Sequence, residues 1–115
     1  MIFTDPLKKN SDFKNVYSKG KSKVNRYFIM YVFENGINNN RLGVSVSKKV
    51  GNSVVRHRIK RLVKESYRLH EQMFNSGLDI VIIARSGAAD LGFNDVESAL
   101  LHLLKLHGIN KTDCD

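Results

Sequence analysis

The feature that most constrains the fold is the run Ile80–Ile83, four large aliphatic residues in a row after Gly77. A strand with one face in water alternates apolar and polar residues, so an unbroken run predicts a strand buried on both faces. Counted through Ala84 it is five residues long, far short of the roughly 20 residues that a membrane span needs. The N-terminus lacks the apolar core of a secretory signal. We therefore expect one cytoplasmic domain with no membrane partner.

A strand and a long helix precede this buried strand. Leu42–Ser47 alternates strictly, which predicts a strand with Leu42, Val44 and Val46 toward the core and only glycine and serine on its other face. The sequence Gly51-Asn52-Ser53 then predicts the start of a helix over about 53–74. The strand–helix–strand run over 42–84 is typical of a βαβ unit with two parallel strands. The expected apolar stripe of the helix is Val55, Ile59, Leu62, Ser66, Leu69 and Met73.

The remaining segments complete a small α/β (α+β) two-layer sandwich with a mixed sheet and the order α-β-β-β-α-β-α. We expect residues 1–115 to form a single domain with a disordered tail from about 109. Phe28, Phe33, Phe74 and Phe93 are assigned to the core. The other expected elements are a helix over about 11–18 ended by Gly20, a strand over Val24–Phe33 with a turn at Asn35-Gly36, a loop at Asn38–Asn40, and a helix over Asn94–His107 with Val96, Leu100, Leu103, Leu104 and Leu106 inward.

Positive charge is concentrated in the predicted long helix and just before it. The net charge is +8, and residues 48–68 hold eight Lys or Arg against one acid, Glu65. A helix face that is merely solvated usually mixes both signs to gain i,i+4 pairs. Lysines before a helix N-terminus also add to the phosphate preference of its free N–H groups. The pattern therefore favours a polyanion partner over a solvated face.

The glycine and serine face of the strand Leu42–Ser47 predicts a shallow floor. If the first helix packs beside that floor, Phe13 and Tyr17 line a groove over it. By pattern alone, both rings could equally anchor the core, and Tyr31 could be buried in its strand. The sequence leaves these two roles open.

The basic segment resembles the protein component of bacterial ribonuclease P. The resemblance is carried by Arg41–Asn52 (RLGVSVSKKVGN) and Arg56–Arg61 (RHRIKR). It extends to Leu7-Lys8-Lys9, Asp12-Phe13 and Val16-Tyr17, to Asn25-Arg26-Tyr27-Phe28 and Tyr31, and to Asp79–Arg85. It thus spans most of the chain in order. One position departs from the family, because His57 stands where the family's usual Arg-Asn-Arg core has asparagine.

The resemblance implies a subunit that binds ribonuclease P RNA and precursor tRNA, whose 5′ leader the enzyme removes. The RNA subunit would hold the Mg²⁺ and carry the chemistry, with no cofactor on the protein and no obligate protein partner. It also implies a left-handed βαβ crossover, against the usual right-handed rule. The implied leader groove is lined by Phe13, Tyr17, Tyr31 and Ser45. The implied contacts to the RNA subunit are Lys48, Lys49, Asn52, Arg56, His57, Arg58, Lys60, Arg61, Lys64 and Arg68.

Two other functional classes compete with this interpretation. A structural ribosomal or chaperone-like RNA-binding protein fits the composition nearly as well. A protein nuclease acting alone would need clustered carboxylates or histidines to hold metals, and neither the acids nor the four histidines show such spacing. The single cysteine, Cys114, stands in the expected tail, so we predict no functional thiol. Since the acids and histidines are scattered, we also predict no catalytic residue and no metal site on the protein.

Overall fold

The computed structural model describes residues 3–108, which form five strands and three helices. The predicted tail and Cys114 lie outside the described residues. A 3₁₀ turn follows α2 at Glu71–Met73, and another follows β5 at Ser86–Ala88. The elements are β1 (Thr4–Pro6), α1 (Asn10–Lys19), β2 (Lys21–Val24), β3 (Phe28–Glu34), β4 (Asn40–Val46), α2 (Ser53–His70), β5 (Leu78–Ala84) and α3 (Phe93–His107).

The strands form one mixed sheet in the order β1-β4-β5-β3-β2. Strands β1, β4 and β5 are parallel, and β3 is antiparallel to both of its neighbours, β5 and β2. The predicted βαβ unit is confirmed, since α2 connects the parallel strands β4 and β5. The left hand of this crossover stays a prediction. The α/β class and the predicted order of elements are confirmed, with the short edge strand β1 added in front.

The two faces of the sheet are covered differently. Side chains alternate between faces along each strand, and Phe28, Met30, Ile80 and Ile82 point toward α2 and α3 in the main core. On the opposite face α1 packs on β3 and β5 and forms a small second cluster around Val16 and Val81. The central strand β5 is therefore covered on both sides, as its apolar run predicts.

Some predicted boundaries and inward positions are wrong. The strand predicted over Val24–Phe33 begins only at Phe28, because the Asn25 side chain accepts hydrogen bonds from the backbone N–H groups of Tyr27 (3.1 Å) and Phe28 (2.9 Å) and closes a turn that separates β3 from β2. Leu69 and Leu106, expected inward, are 53% and 45% exposed. In α2 the sheet instead covers the neighbouring stripe, which includes Val63 and Tyr67.

Candidate RNA interface

The basic segment begins where β4 ends. Strand β4 stops at Val46, and the exposed Lys48 and Lys49 lead into α2. Asn52 caps the helix, since its Oδ1 accepts a hydrogen bond from the Val55 N–H at 3.0 Å. Asn52 thus satisfies one of the free N–H groups of the first turn. The cap sets the start of α2 close to the two lysines.

Most of the predicted RNA contacts lie on the solvent side of α2. Among the described residues, the one member of this set that pairs with a carboxylate is Arg68, whose Nε donates to Glu65 Oε2 at 3.1 Å. That hydrogen bond lowers the pKa of the Glu65 carboxyl. The cationic face therefore keeps most of its charge for an external partner. His57, Arg61, Lys64 and Arg68 are exposed, and Arg56, Arg58 and Lys60 are half-buried.

Arg58 differs from the rest of the set because it donates to two backbone carbonyl groups of a distant segment. Its Nη1 donates to the Leu91 carbonyl at 2.8 Å and its Nη2 donates to the Ala89 carbonyl at 3.0 Å. Both carbonyls belong to the segment between β5 and α3. Arg56 makes a weaker contact of this kind, with its Nη1 3.3 Å from the Gly51 carbonyl oxygen. Arg58 therefore fastens α2 to a neighbouring loop, a role that the charge pattern did not reveal.

An open groove lies along the N-terminal turns of α2 beside Arg58. Its volume is about 490 Å³, and its lining includes His57, Arg58 and Arg61 together with Val54. Val54 is 75% exposed, an unusual position for an aliphatic side chain among cations. The groove combines an apolar side chain with arginine donors, whose planar geometry suits phosphate.

A second groove lies between α1 and β4 on the other face of the sheet. Its volume is about 420 Å³, and its lining includes the predicted residues Phe13, Tyr17 and Ser45. Tyr31 lies beside it, with its ring 5.0 Å from that of Tyr17 and tilted by 71°. Burial raises the pKa of Tyr17, and the neighbouring Tyr31 adds to the effect. The structure thus brings the four predicted groove residues together. The lining also includes Asn10, Lys14 and Val44, which were not predicted.

The groove has its shape because residue 43 is glycine. A Cβ atom at Gly43 would lie 2.6 Å from Cζ of Phe13, closer than two carbon atoms can approach without displacement. The Phe13 ring therefore rests directly on the backbone of β4, as the glycine and serine face predicts. Phe13 is half-buried, and Tyr17 is 39% exposed. Phe13 serves as an anchor, while Tyr17 presents its ring to solvent.

An ion-pair network holds the start of α1 beside the sheet. Arg41 in β4 donates two hydrogen bonds to the buried Asp79 of β5, from Nε at 2.8 Å and from Nη2 at 2.6 Å. Its Nη1 reaches Asp12 in the first turn of α1 at 3.3 Å. The hydrogen bond with Asp79 raises the pKa of Arg41. This network sets the distance between α1 and β4, and with it the width of the groove.

Residues 3–108 contain no group of three or more His, Cys, Asp or Glu side chains placed to hold a metal ion. A histidine and a carboxylate do meet at His70 and Glu97, where Nε2 and Oε2 are 2.8 Å apart. That pair joins α2 to α3. In the same part of the chain, no helix has the length and apolar character to cross a membrane.

The chain is similar to ribonuclease P proteins along nearly its whole described length. The family model for Ribonuclease P matches residues 3–107. The chain is 58% identical over 106 residues to the ribonuclease P protein component of Lachnoclostridium phytofermentans, covering 92% of this chain and 91% of that one. It is 45% identical over 103 residues to the same component of Clostridioides difficile, covering 89% and 90%.

Solved structures that superpose on this chain indicate the same family as its sequence relatives. The RNase P protein of Staphylococcus aureus superposes with a TM-score of 0.85 at 40% identity, covering 92% of this chain and 97% of that one. The RNase P protein of Thermotoga maritima superposes with a TM-score of 0.81 at 34% identity, covering 89% and 96%. The chain therefore belongs to the ribonuclease P protein family.

Proposed function

We propose that this chain is the protein subunit of ribonuclease P, that it binds the RNA subunit through α2, and that it binds the 5′ leader of precursor tRNA in the groove between α1 and β4. One observation carries the proposal. Ser45 in the groove and Lys48, Lys49 and Asn52 at the start of α2 belong to one short segment, so the two surfaces adjoin. The family membership favours this function over a ribosomal or chaperone-like one.

The groove suits an unpaired strand of variable sequence. Every base has a π face, so stacking on a ring such as Tyr17 contributes about 1–3 kcal/mol per base with little sequence preference. Lys14 places an ammonium group in the same lining, where it would bind a phosphate. Tyr31 contacts the Tyr17 ring edge-on and holds it in place. These contacts would fix the leader without reading its sequence.

The protein would bind and position the substrate, while the RNA subunit with its Mg²⁺ would carry out phosphodiester hydrolysis. On α2 the exposed cations would bind phosphates of the RNA subunit, and each contact formed would release counterions. Arg58 would support this surface by holding α2 against the segment before α3. The proposed contacts to the RNA subunit are Lys48, Lys49, Asn52, Arg56, His57, Lys60, Arg61, Lys64 and Arg68.

Reconstitution with a bacterial ribonuclease P RNA tests the proposal. The protein alone should leave precursor tRNA uncut, and adding the RNA at low Mg²⁺ should give cleavage. Failure with several such RNAs would reject the function. Cleavage by the protein alone that survives RNase treatment would point to a protein nuclease instead.

Tyr17→Ala tests the groove. The variant should bind leader-bearing precursor tRNA about 5- to 150-fold more weakly, because one stacking partner is lost, and should bind mature tRNA as the parent does. Tyr27→Ala is the matched control, since Tyr27 lies outside the groove beside Arg26. Equal losses for precursor and mature tRNA would refute the groove assignment. Equilibrium binding to the reconstituted complex is the measurement.

A further inference from the structure

Helix α1 is attached to strand β4 at two consecutive residues of the face that the helix covers. Side chains alternate along a strand, so Arg41, Gly43 and Ser45 point to this face. Arg41 binds Asp12 in the first turn of α1, and Gly43 lies under the ring of the next residue, Phe13. The third strand residue, Ser45, lines the groove. The groove therefore begins where the two attachments end.

The sheet holds the arginine of the first attachment in one orientation. Arg41 donates from Nε and Nη2 to the two carboxylate oxygens of Asp79, whose side chain is 1% exposed. Asn35 donates a further hydrogen bond to Asp79 Oδ1 at 2.9 Å. This forked pairing leaves the Arg41 Nη1 group to point toward α1, where it lies 3.3 Å from Asp12 Oδ2. Asp12 thus meets a donor whose position is fixed by the sheet and not by α1.

The charge of Asp12 is unfavourable for binding RNA in the groove. Asp12 is the one acidic residue of α1, and the groove beside it includes Lys14, which is proposed to bind a phosphate. A carboxylate near such a site repels a polyanion. The favourable effects of Asp12, its pairing with Arg41 and its place in the first helical turn, both act on α1 itself. Asp12 is therefore suited to holding the helix and not to attracting RNA.

We propose that Asp12 is a positioning residue for the precursor tRNA leader: through Arg41 it holds the start of α1 on β4 and keeps the groove preformed. This inference rests on the proposed leader groove and adds to it a residue that does not line the groove. With the ion pair in place, Phe13 and Tyr17 are positioned before the leader arrives. Without it the leader has to order the start of α1 as it binds, and this cost weakens binding.

Asp12→Ala separates positioning from charge, because the two roles predict effects of opposite sign. If Asp12 acted through its charge alone, removing it would tighten leader binding by up to about twofold. Positioning predicts that the variant binds leader-bearing precursor tRNA at least about fivefold more weakly, while its affinities for mature tRNA and for the RNA subunit stay as in the parent. Equilibrium binding of both tRNAs to the reconstituted complex, and of the free protein to ribonuclease P RNA, gives the three affinities.

Asp5→Ala is the matched control. Asp5 is exposed and stands beside Arg41 in the register of β1 and β4, so this variant removes the same charge from the same face of the sheet. Within residues 3–108 Asp5 takes part in no ion pair, and its carboxylate lies 3.5 Å from Asn39 Nδ2. The control should bind the leader as the parent does or slightly more tightly.

A second variant and a second measurement test the link through Arg41. Asp12→Asn removes the same charge as Asp12→Ala but keeps an oxygen that accepts a hydrogen bond from Arg41 Nη1. Its leader affinity should therefore lie between those of the parent and Asp12→Ala. In the free protein, amide hydrogen exchange in α1 should be faster in Asp12→Ala than in the parent, while exchange in β5 should not change.

Any of four results would overturn the inference: leader binding that is unchanged or tighter in Asp12→Ala, the same leader loss in Asp5→Ala, equal leader affinities of Asp12→Asn and Asp12→Ala, or unchanged exchange in α1. A loss that extends to β5 exchange and to RNA-subunit binding would also reject it, because Asp12 would then support the whole fold. The proposed function fails differently, since parent affinity would then not depend on the leader at all.

Discussion

The two faces of the sheet are built from the same strands and yet serve different purposes. One face is closed by α2 and α3 over a core that includes Phe28, Ile82 and Leu103, each with 0% exposure. The other carries only the ten-residue α1, whose cluster of fully buried residues is Leu7, Val16 and Val81. The closed face holds the fold together, and the open face leaves part of its apolar surface exposed to solvent.

This contrast shows how a small chain can offer binding surface without losing its stability. Burying an aliphatic or aromatic side chain stabilises the fold by about 1.5–3 kcal/mol. The open face, which is only partly covered, forgoes some of this stability, and the closed face must supply it. The closed face also positions α2, whose outer side carries the cations. Its inner side packs Ile59, Val63 and Tyr67 against the sheet. The residues that stabilise the fold and those proposed to bind RNA therefore lie on two sides of one helix.

The largest effect on the free energy of unfolding is expected from a comparison of two neighbouring residues of β3 that point to opposite faces of the sheet. Phe28→Ala should lower the free energy of unfolding by about 3–5 kcal/mol, because it leaves a cavity in the closed core. Ile29→Ala should cost much less, since Ile29 is only half-buried on the open face. Urea unfolding of both variants measures the difference. A similar cost for the two substitutions would show that the open face is packed as tightly as the closed one.

A second comparison concerns two arginines of α2. Arg58→Ala should lower the free energy of unfolding by about 1.5–3 kcal/mol, because two carbonyl groups lose a charged donor. It should leave the salt dependence of RNA binding nearly unchanged. Arg61→Ala should do the reverse, with little loss of stability and a salt slope reduced by about 1. Urea unfolding and RNA binding against salt concentration give the two readouts.

If Arg58→Ala instead leaves unfolding unchanged and reduces the salt slope, Arg58 contacts RNA, as the charge pattern predicts. Arg58→Lys adds a finer test. Lysine keeps the charge but lacks the planar fork that reaches both carbonyls. Its stability should therefore fall between those of the parent and Arg58→Ala.

Periodicity and charge predicted much of this architecture because both are local properties of the sequence. The unbroken run in β5 predicted burial on both faces, and the spacing of Phe13 and Tyr17 placed both rings on one side of α1. The glycine and serine alternation of β4 predicted the groove floor, and Gly43 lies under the Phe13 ring. In each case the residues that matter are close in the chain, or a single strand carries the pattern.

The features that the sequence did not reveal depend on partners far away in the chain. Asn40 was expected in a loop, yet it is buried in β4 and donates a hydrogen bond to the Tyr67 hydroxyl at 3.1 Å. Arg58 donates hydrogen bonds to two carbonyl groups 31 and 33 residues away, and those partners leave no trace in local charge. Its predicted contact with RNA stays a prediction. Lys14 enters the groove only because α1 lies at a particular angle on the sheet. Pattern alone does not fix such angles or pairings.

The smallest expected effect lies at the edge of the closed face, where α3 ends beside β3. His107 Nε2 donates a hydrogen bond to the Met30 carbonyl at 2.7 Å. Burial lowers the pKa of His107, the hydrogen bond to Met30 opposes the shift, and the Lys23 charge adds to it. As the pH falls below about 6.5, the unfolded chain takes up a proton that the folded chain resists. The contribution of His107 to stability is therefore present above that pH and is lost as the pH falls toward the folded pKa.

Urea unfolding at about pH 7.5 and pH 5.5 tests this contribution. The free energy of unfolding should fall less between the two pH values for His107→Gln, which keeps a donor for Met30, than for the parent. His57→Gln, at an exposed position, should match the parent. An equal acid loss in His107→Gln and the parent would mean that the closed face leaves this ring free to ionise.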